Sequence, residues 1–278
     1  MAENMIFDTH AHYDDDWFDG DREELLRGLF SNGVDTVVNV GASMEGSRAS
    51  VALSEQYPFV YAAVGVHPDH APQMTEADIE ELRQLARRGK VVAVGEIGFD
   101  YGHEDELSEA ERDAQRAAQK YWFERQLALA EELSLPVIIH SRGAEGDTLS
   151  VMREWAERAA QKPGFRGGII HCFSGSPETA EVYRRLGFHI GVGGVLTFRN
   201  ARRLPDVVAA APLSQIVLET DCPYLAPVPH RGERNDSTLL PLVVAKIAEM
   251  KGISEEEVIR ITAENARQLF GIHKQENA

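Results

Sequence analysis

Short apolar runs rich in Val and Ile recur along the whole chain, separated by longer segments in which apolar residues return every three or four positions. Strands of a parallel sheet are buried on both faces and read as continuous apolar runs, so this rhythm points to βα units. The pattern predicts eight strands: Met5–Thr9, Asp35–Val40, Val60–Val66, Val91–Ile97, Pro136–His140, Gly168–His171, His189–Val192 and Gln215–Glu219. Between them, Ile79, Leu82, Leu85 and Ala86, or Phe123, Leu127 and Ala130, keep a helical spacing that would lay an apolar stripe on the sheet. Ser108 and Ser254 each precede a Glu by three residues, and Ser176 stands before Pro177 at a first helical position, so all three mark helix starts. Gly89 and Gly187 follow helical runs and are expected just past the helix ends. The chain carries no Pro/Gly/Ser-rich linker, no low-complexity tract and no fixed-period repeat. Eight strands with eight covering helices match an α/β (β/α)₈ TIM barrel, with one domain over residues 1–278 and its core from about 5 to 270. A doubly wound open sheet would announce a Gly-rich loop after the first strand; here THAHYDDD follows, with no glycine until Gly20.

Composition narrows the class. With 43% hydrophobic and 26% charged residues, the 278-residue chain fits a globular protein rather than a disordered or fibrous one. No run reaches the roughly 18 apolar residues of a membrane span, and MAENMIFDTH lacks the features of a signal peptide, so the cytoplasm is the expected compartment. Cys172 and Cys222 form no CxxC pair, which excludes a zinc knuckle and a redox dithiol. The formal net charge of -17 argues against tight, non-specific coating of duplex DNA. It permits a strand end or a short substrate captured locally, with a shallow salt dependence.

The chemistry lies in what stands at the strand ends. The first strand ends in Asp8-Thr9-His10-Ala11-His12, and residues two apart on an extended segment point the same way. The fourth ends with Glu96, the fifth with His140, the sixth with His171 and the eighth with Asp221. In a parallel barrel these ends meet on the face that carries active sites. Buried imidazoles and carboxylates without partners cost several kcal/mol each. A lone strand-end His is ordinarily a hydrogen-bonded core residue; six such groups at one end instead call for divalent cations. Nitrogen and oxygen donors without thiolate suit zinc, manganese, iron, nickel or cobalt and are poor for calcium. Six ligands exceed what one open catalytic zinc takes, so two divalent metals are expected, zinc, magnesium or manganese among the candidates. His10, His12 and Asp221 would hold one and His140 and His171 the other, with Glu96 bridging; two metals roughly 3.5–4 Å apart suit phosphate-ester hydrolysis. Asp221 has a second possible role, as acceptor of the attacking water's proton. Lys90 lies at the opposite end of its strand from Glu96, so no lysine is available to bridge the metals.

At these residues the sequence closely resembles the TatD family of metal-dependent deoxyribonucleases, within the amidohydrolase superfamily. The matching segments run in family order: DTHAHYD at 8–14, VGVHP at 64–68, VGEIGFDYG at 94–102, IIHSR at 138–142, HCFSG at 171–175, ETDCPYLAP at 219–227 and HRGERN at 230–235. The family's ligands fall on His10, His12, Glu96, His140, His171 and Asp221. Some members lack the first-strand HxH pair, which this chain keeps. The chain departs from the family pattern at Phe99, where Leu is usual, and at Asp236-Ser237, where an acidic residue and Pro commonly follow HRGERN. The resemblance implies hydrolysis of DNA, commonly as a 3′–5′ exonuclease on single strands, with single-stranded DNA or 3′ ends as partner and no membrane. Other relatives remove D-amino acids from mischarged tRNA, which makes tRNA the alternative substrate. A non-catalytic metal-binding protein is the remaining alternative.

Substrate contacts are expected around the centre. Arg142, two residues past His140, and Arg231 and Arg234, in the loop after the eighth strand, are candidate phosphate clamps, because guanidinium matches phosphate with two parallel donors. The plain alternative pairs Arg231 or Arg234 with Glu233 or Asp236. His67, before Pro68, faces the same side and would bind phosphate or fix a ligand. Tyr101 and Tyr224 are candidates for stacking a base. Asp8 and Asp100 are candidates for orienting ligand imidazoles. Cys172 and Cys222 are expected to be small buried residues pointing away from the site. His70, His103, His189, His230 and His273 are assigned to solvated loops, with Glu104 beside His103.

Overall fold

The computed structural model describes residues 4–273, so the outermost residues of the expected domain, 1–3 and 274–278, lie outside it. All eight expected strands form: β1 (Ile6–Ala11), β2 (Val34–Val40), β3 (Val60–Val64), β4 (Val91–Asp100), β5 (Val137–Arg142), β6 (Gly168–Ile170), β7 (Phe188–Val192) and β8 (Ile216–Leu218). They pair in parallel in sequence order. The seam between the last strand and the first is closed by an isolated parallel bridge, Ala11 to Cys222. The Asp221 N–H donates to His10 O and the His12 N–H to Cys222 O, each at 2.9 Å. Asp8, fully buried, stitches the same seam: its carboxylate accepts the His10 and Thr220 N–H groups and the Thr220 and Ser237 hydroxyls at 2.7–3.2 Å.

The helices α1 (Arg22–Gly28), α2 (Met44–Gln56), α3 (Glu76–Leu85), α4 (Glu109–Leu133), α5 (Glu145–Ala159), α6 (Pro177–Arg185), α7 (Leu204–Ala210), α8 (Leu240–Lys251) and α9 (Glu255–Phe270) follow the strands. Their starts sit where the serines mark them. Ser108 and Glu111 form a reciprocal capping box on α4, and the Ser176 and Ser254 hydroxyls accept the N–H groups of Thr179 and Glu257. Gly187 takes φ +88° just past α6. Gly89 does not play that part: it lies beyond the turn after α3 and is absent from the glycines with left-handed φ. None of the described helices is long and apolar enough to cross a membrane.

Inside the barrel, Phe7, Val38, Val40, Ala63, Ala93, Ile138, Ile169 and Val217 pack with Ala263, Ala266, Leu269 and Phe270 of α9. That layer fixes which residues point inward. Two steps further along the strands, the alternation that buries Ile138, Ile169 and Val217 aims His140, His171 and Glu219 into the same interior. Register breaks between Asp8 and Ala11, and between Val94 and Ile97, interrupt the ladders where β1 and β4 supply His10, His12 and Glu96. Lys90 is at the other end of β4, its ammonium donating to Tyr57 O and Pro58 O.

Candidate metal centre

The barrel brings His10, His12, Glu96, His140, His171 and Asp221 together at the C-terminal ends of its strands. His10 Nε2 and His12 Nε2 are 3.1 Å apart. Glu96 Oε2 is 3.7 Å from the first and 3.8 Å from the second, and Asp221 Oδ1 is 3.8 and 3.4 Å from them. Four donors on a tetrahedron with bonds near 2.1 Å are separated by about 3.4 Å, so this quartet has the dimensions of one zinc-sized site. The other oxygen, Glu96 Oε1, faces a second set: His140 Nδ1 at 2.6 Å, His171 Nε2 at 3.7 Å and His67 Nε2 at 3.9 Å. Glu96 therefore offers one oxygen to each group. His171 Nε2, 3.5 Å from Asp221 Oδ1, also touches both.

The far nitrogens of three rings are engaged elsewhere. His12 Nδ1 is 2.8 Å from Val40 O, His140 Nε2 is 3.0 Å from Asp100 Oδ2, and His171 Nδ1 is 3.1 Å from Glu219 Oε2. Each acceptor holds a proton on the outer nitrogen and turns the inner nitrogen to the centre, the arrangement that orients metal-binding imidazoles. His10 Nδ1 is buried without a partner, and that ring is held instead by stacking on His171 at 3.6 Å between centroids.

The buried carboxylates draw positive charge onto the rings. Burial opposes charge on every ring, and with the neighbouring His171 it pushes His10 down to about 4. Against burial, Asp221 and Glu96 lift His12 to about 9, Glu96 and Asp100 lift His140 to about 10, and Glu219 and Asp221 lift His171 to about 9. Despite burial, the imidazoles hold Glu96 well below the usual carboxylate range and lower Asp221 as well. Two ionised, buried carboxylates draw compensating positive charge onto this cluster, and the donor set fits divalent cations.

The centre opens into a cleft of about 880 Å³ lined by His12, His67, Glu96, His140, His171 and Asp221, with Arg142, His70, His103, Tyr224 and Leu225 nearer the rim. His67 packs edge-on to His140 at 4.3 Å, and burial lowers its pKa. Arg142 Nη1 sits 3.9 Å from Asp100 Oδ2 with its side chain 57% exposed. The other expected contacts lie outside the cleft lining. Arg234 is committed to Asp21 at 2.6 and 2.7 Å, and Arg231 lies over the Phe198 ring at 4.4 Å; neither pairs with Glu233 or Asp236 as the plain alternative had it. Tyr101 donates to Asp147 at 2.8 Å, and its ring is covered by Arg116.

Four readings of the sequence need correction. Asp8 touches no imidazole and braces backbone instead. Cys172 does not point away: it takes φ +45° beyond the end of β6 and lines the cleft. His70 and His103 lie on exposed loops as expected and also line the cleft, whereas His189 stands in β7 with its Nδ1 buried and Glu104 is buried against Arg116 rather than solvated. Glu219 was missed; besides His171 it binds the Cys172 N–H at 2.6 Å, and its place two residues before Asp221 was the available signal.

Comparison with known proteins places this geometry. The family model described as "TatD related DNase" matches residues 7–271. The uncharacterized metal-dependent hydrolase YabD of Bacillus subtilis is 39% identical over 97% of this chain and 100% of its own length. The 3′-5′ ssDNA/RNA exonuclease TatD of Pantoea vagans is 33% identical over 95% of this chain and 99% of its own. The crystal structure of YjjV, a TatD homologue from Escherichia coli, superposes with a TM-score of 0.85 at 32% identity, covering 96% of this chain and 98% of that one. The chain thus belongs to the TatD family and is a metal-dependent hydrolase of that type.

Proposed function

We propose that the chain hydrolyses phosphodiester bonds of single-stranded DNA, from a 3′ end, with two divalent cations held by one barrel domain. The observation that carries this reading is the pair of donor groups that share Glu96. His10, His12, Asp221 and Glu96 Oε2 would hold one cation, and His140 Nδ1, His171 Nε2 and Glu96 Oε1 the other. The donor set favours zinc or manganese over calcium. Bound there, the cations would supply Lewis-acid polarisation of the phosphate and lower the pKa of the attacking water.

The side chains do the rest. Asp221, kept ionised by His171, His12 and His10, turns Oδ1 to the rings and can accept a proton at its other carboxylate oxygen. Asp100 and Glu219 hold His140 and His171 in one tautomer. Arg142 and His67, on the cleft wall, can donate to phosphate oxygens. The exonuclease activity for which the Pantoea vagans relative is named supports the substrate class.

Glu96→Gln and Asp221→Asn should each abolish metal-dependent hydrolysis of a 3′-labelled single strand while circular dichroism stays that of the parent. Full activity in either variant refutes the mechanism. Turnover of D-aminoacyl-tRNA in the same assay, without turnover of DNA, refutes the substrate.

A further inference from the structure

The exposed large apolar side chains are concentrated. Among the described residues, Trp17, Tyr224, Leu225 and Val228 are 57, 49, 36 and 43% exposed; the other two, Phe30 and Tyr121, lie elsewhere. All four belong to the loops that follow β1 and β8, which also carry His12 and Asp221. Tyr224 and Leu225 line the metal cleft, three and four residues past Asp221. The Trp17 ring adjoins Tyr224, with centroids 6.3 Å apart and planes tilted by 43°.

These rings are exposed, yet their supports are fixed. Asp15 spans the two loops: Oδ1 accepts the Trp17 N–H and Oδ2 the Tyr224 O–H, both at 2.9 Å. Arg234 donates to Trp17 O at 2.8 Å while paired with Asp21, and buried Asn235 donates to Tyr224 O at 2.8 Å. This is where the loop arginine acts: it braces the aromatic ledge. A planar ligand landing on side chains whose backbone is already held costs less ordering on binding than one landing on a loose loop. The same cleft carries a different set of groups, Arg142, His70 and His103, which can donate to anions. A ligand that alternates planar apolar groups with anionic linkers matches the two sets. In a duplex the base faces are occupied by their neighbours; in a single strand they are free to stack on aromatic side chains.

We infer that Trp17 and Tyr224 form a stacking ledge for an unpaired nucleobase beside the scissile phosphate, and so select strands whose bases are free. The inference rests on the phosphodiesterase reading above for the identity of the neighbouring phosphate.

Two small probes separate base from phosphate without turnover of a diester: thymidine 5′-monophosphate and 2-deoxyribose 5-phosphate, titrated into the metal-loaded full chain by calorimetry. Base stacking of this kind is worth roughly tenfold in affinity. The nucleotide should therefore bind about tenfold more tightly than the sugar phosphate and quench tryptophan fluorescence, Trp17 being exposed while Trp155 is buried. Trp17→Ala and Tyr224→Ala should erase that preference and leave the sugar phosphate unaffected, and Trp17→Phe should restore most of it. Equal binding of the two probes by the parent overturns the ledge. So does a Trp17→Ala variant whose sedimentation changes while its nucleotide preference persists, because the patch would then be a contact between copies. A preference for the nucleotide in a chain that cleaves no DNA would retain the ledge and discard the nuclease reading.

Discussion

Asp100 decides which nitrogen of His140 is free. Its Oδ1 accepts the Gly102 N–H at 2.7 Å and its Oδ2 lies 3.0 Å from His140 Nε2, while Gln119 holds its backbone N–H and C=O at 3.1 and 3.0 Å. With a carboxylate there, Nε2 keeps its proton, so a cation that displaces the proton shared by Nδ1 and Glu96 Oε1, 2.6 Å apart, would find the Nδ1 lone pair. Asp100→Asn keeps the volume and the Gly102 bond, because the amide oxygen takes that N–H and the NH₂ turns to His140. An NH₂ cannot accept, so Nε2 must, and the ring proton moves to Nδ1, where a cation would be coordinated. Disturbing such partners typically costs 10–100-fold in metal affinity, or about 1.4–2.7 kcal/mol. Asp100→Ala should cost less, because the His140 side chain is 16% exposed and water can take the proton Asp100 held. Calorimetric titration with zinc should therefore rank the affinity for the weaker equivalent as parent, then Asp100→Ala, then Asp100→Asn. Parental affinity for both equivalents in Asp100→Asn, or a worse result for Asp100→Ala, would refute the tautomer argument.

The other expectations concern the frame around the centre. Each cation that binds only the folded state stabilises it by about 2.7 kcal/mol at 100 times its Kd, so loss of two should lower the melting temperature by roughly 10–20 °C; an unchanged Tm after verified metal loss would count against two bound ions. Gly98 has φ +147°, and a Cβ there would stand 2.0 Å from His140 O, so Gly98→Ala should cost about 3 kcal/mol or more in urea unfolding and weaken metal binding. Parental stability in that variant would show that the β4–β5 pairing yields more easily than its geometry suggests. Burial outweighs four hydrogen bonds and raises Asp8 from 3.8 to about 6. The folded state then binds that proton more tightly than the unfolded chain, so Asp8 makes stability fall as pH rises from about 4 to 6, by at most about 3 kcal/mol. Asp8→Asn keeps an acceptor for the His10 and Thr220 N–H groups, so its unfolding free energy relative to the parent should improve across that window. Parallel profiles for the two proteins would contradict the assignment.

The strands and the clustering of six candidate side chains were legible because of one physical contrast. Strands covered on both faces must be apolar, so His10, His12, Glu96, His140, His171 and Asp221 stand out as exceptions at the ends of Val- and Ile-rich runs. What stayed hidden depends on where chains stop or on contacts distant in sequence. Alternation put Cys172 on the wrong side because β6 ends at Ile170 and the next turn carries φ +45°. Glu219 looked like one more strand-end residue until His171, from another strand, was seen on its carboxylate. Arg234 and Tyr101 could not be assigned from their loops, since Asp21 and Asp147 that engage them come from other parts of the chain. Trp17 gave no signal at all; its exposure and setting depend on Asp15, Tyr224 and Arg234 meeting across the seam.

That seam also makes the centre a clasp. His10 and His12 come from the first strand and Asp221 from the segment after the eighth, joined by the hydrogen bonds between them. A nascent chain that has made β1 through β7 holds two imidazoles beside an open strand edge, without the carboxylate that completes their quartet. A cation held by all four donors would therefore have to wait for the barrel to close. It would then tie the two ends of the sheet together, so that opening the ring and losing the ion would be one event.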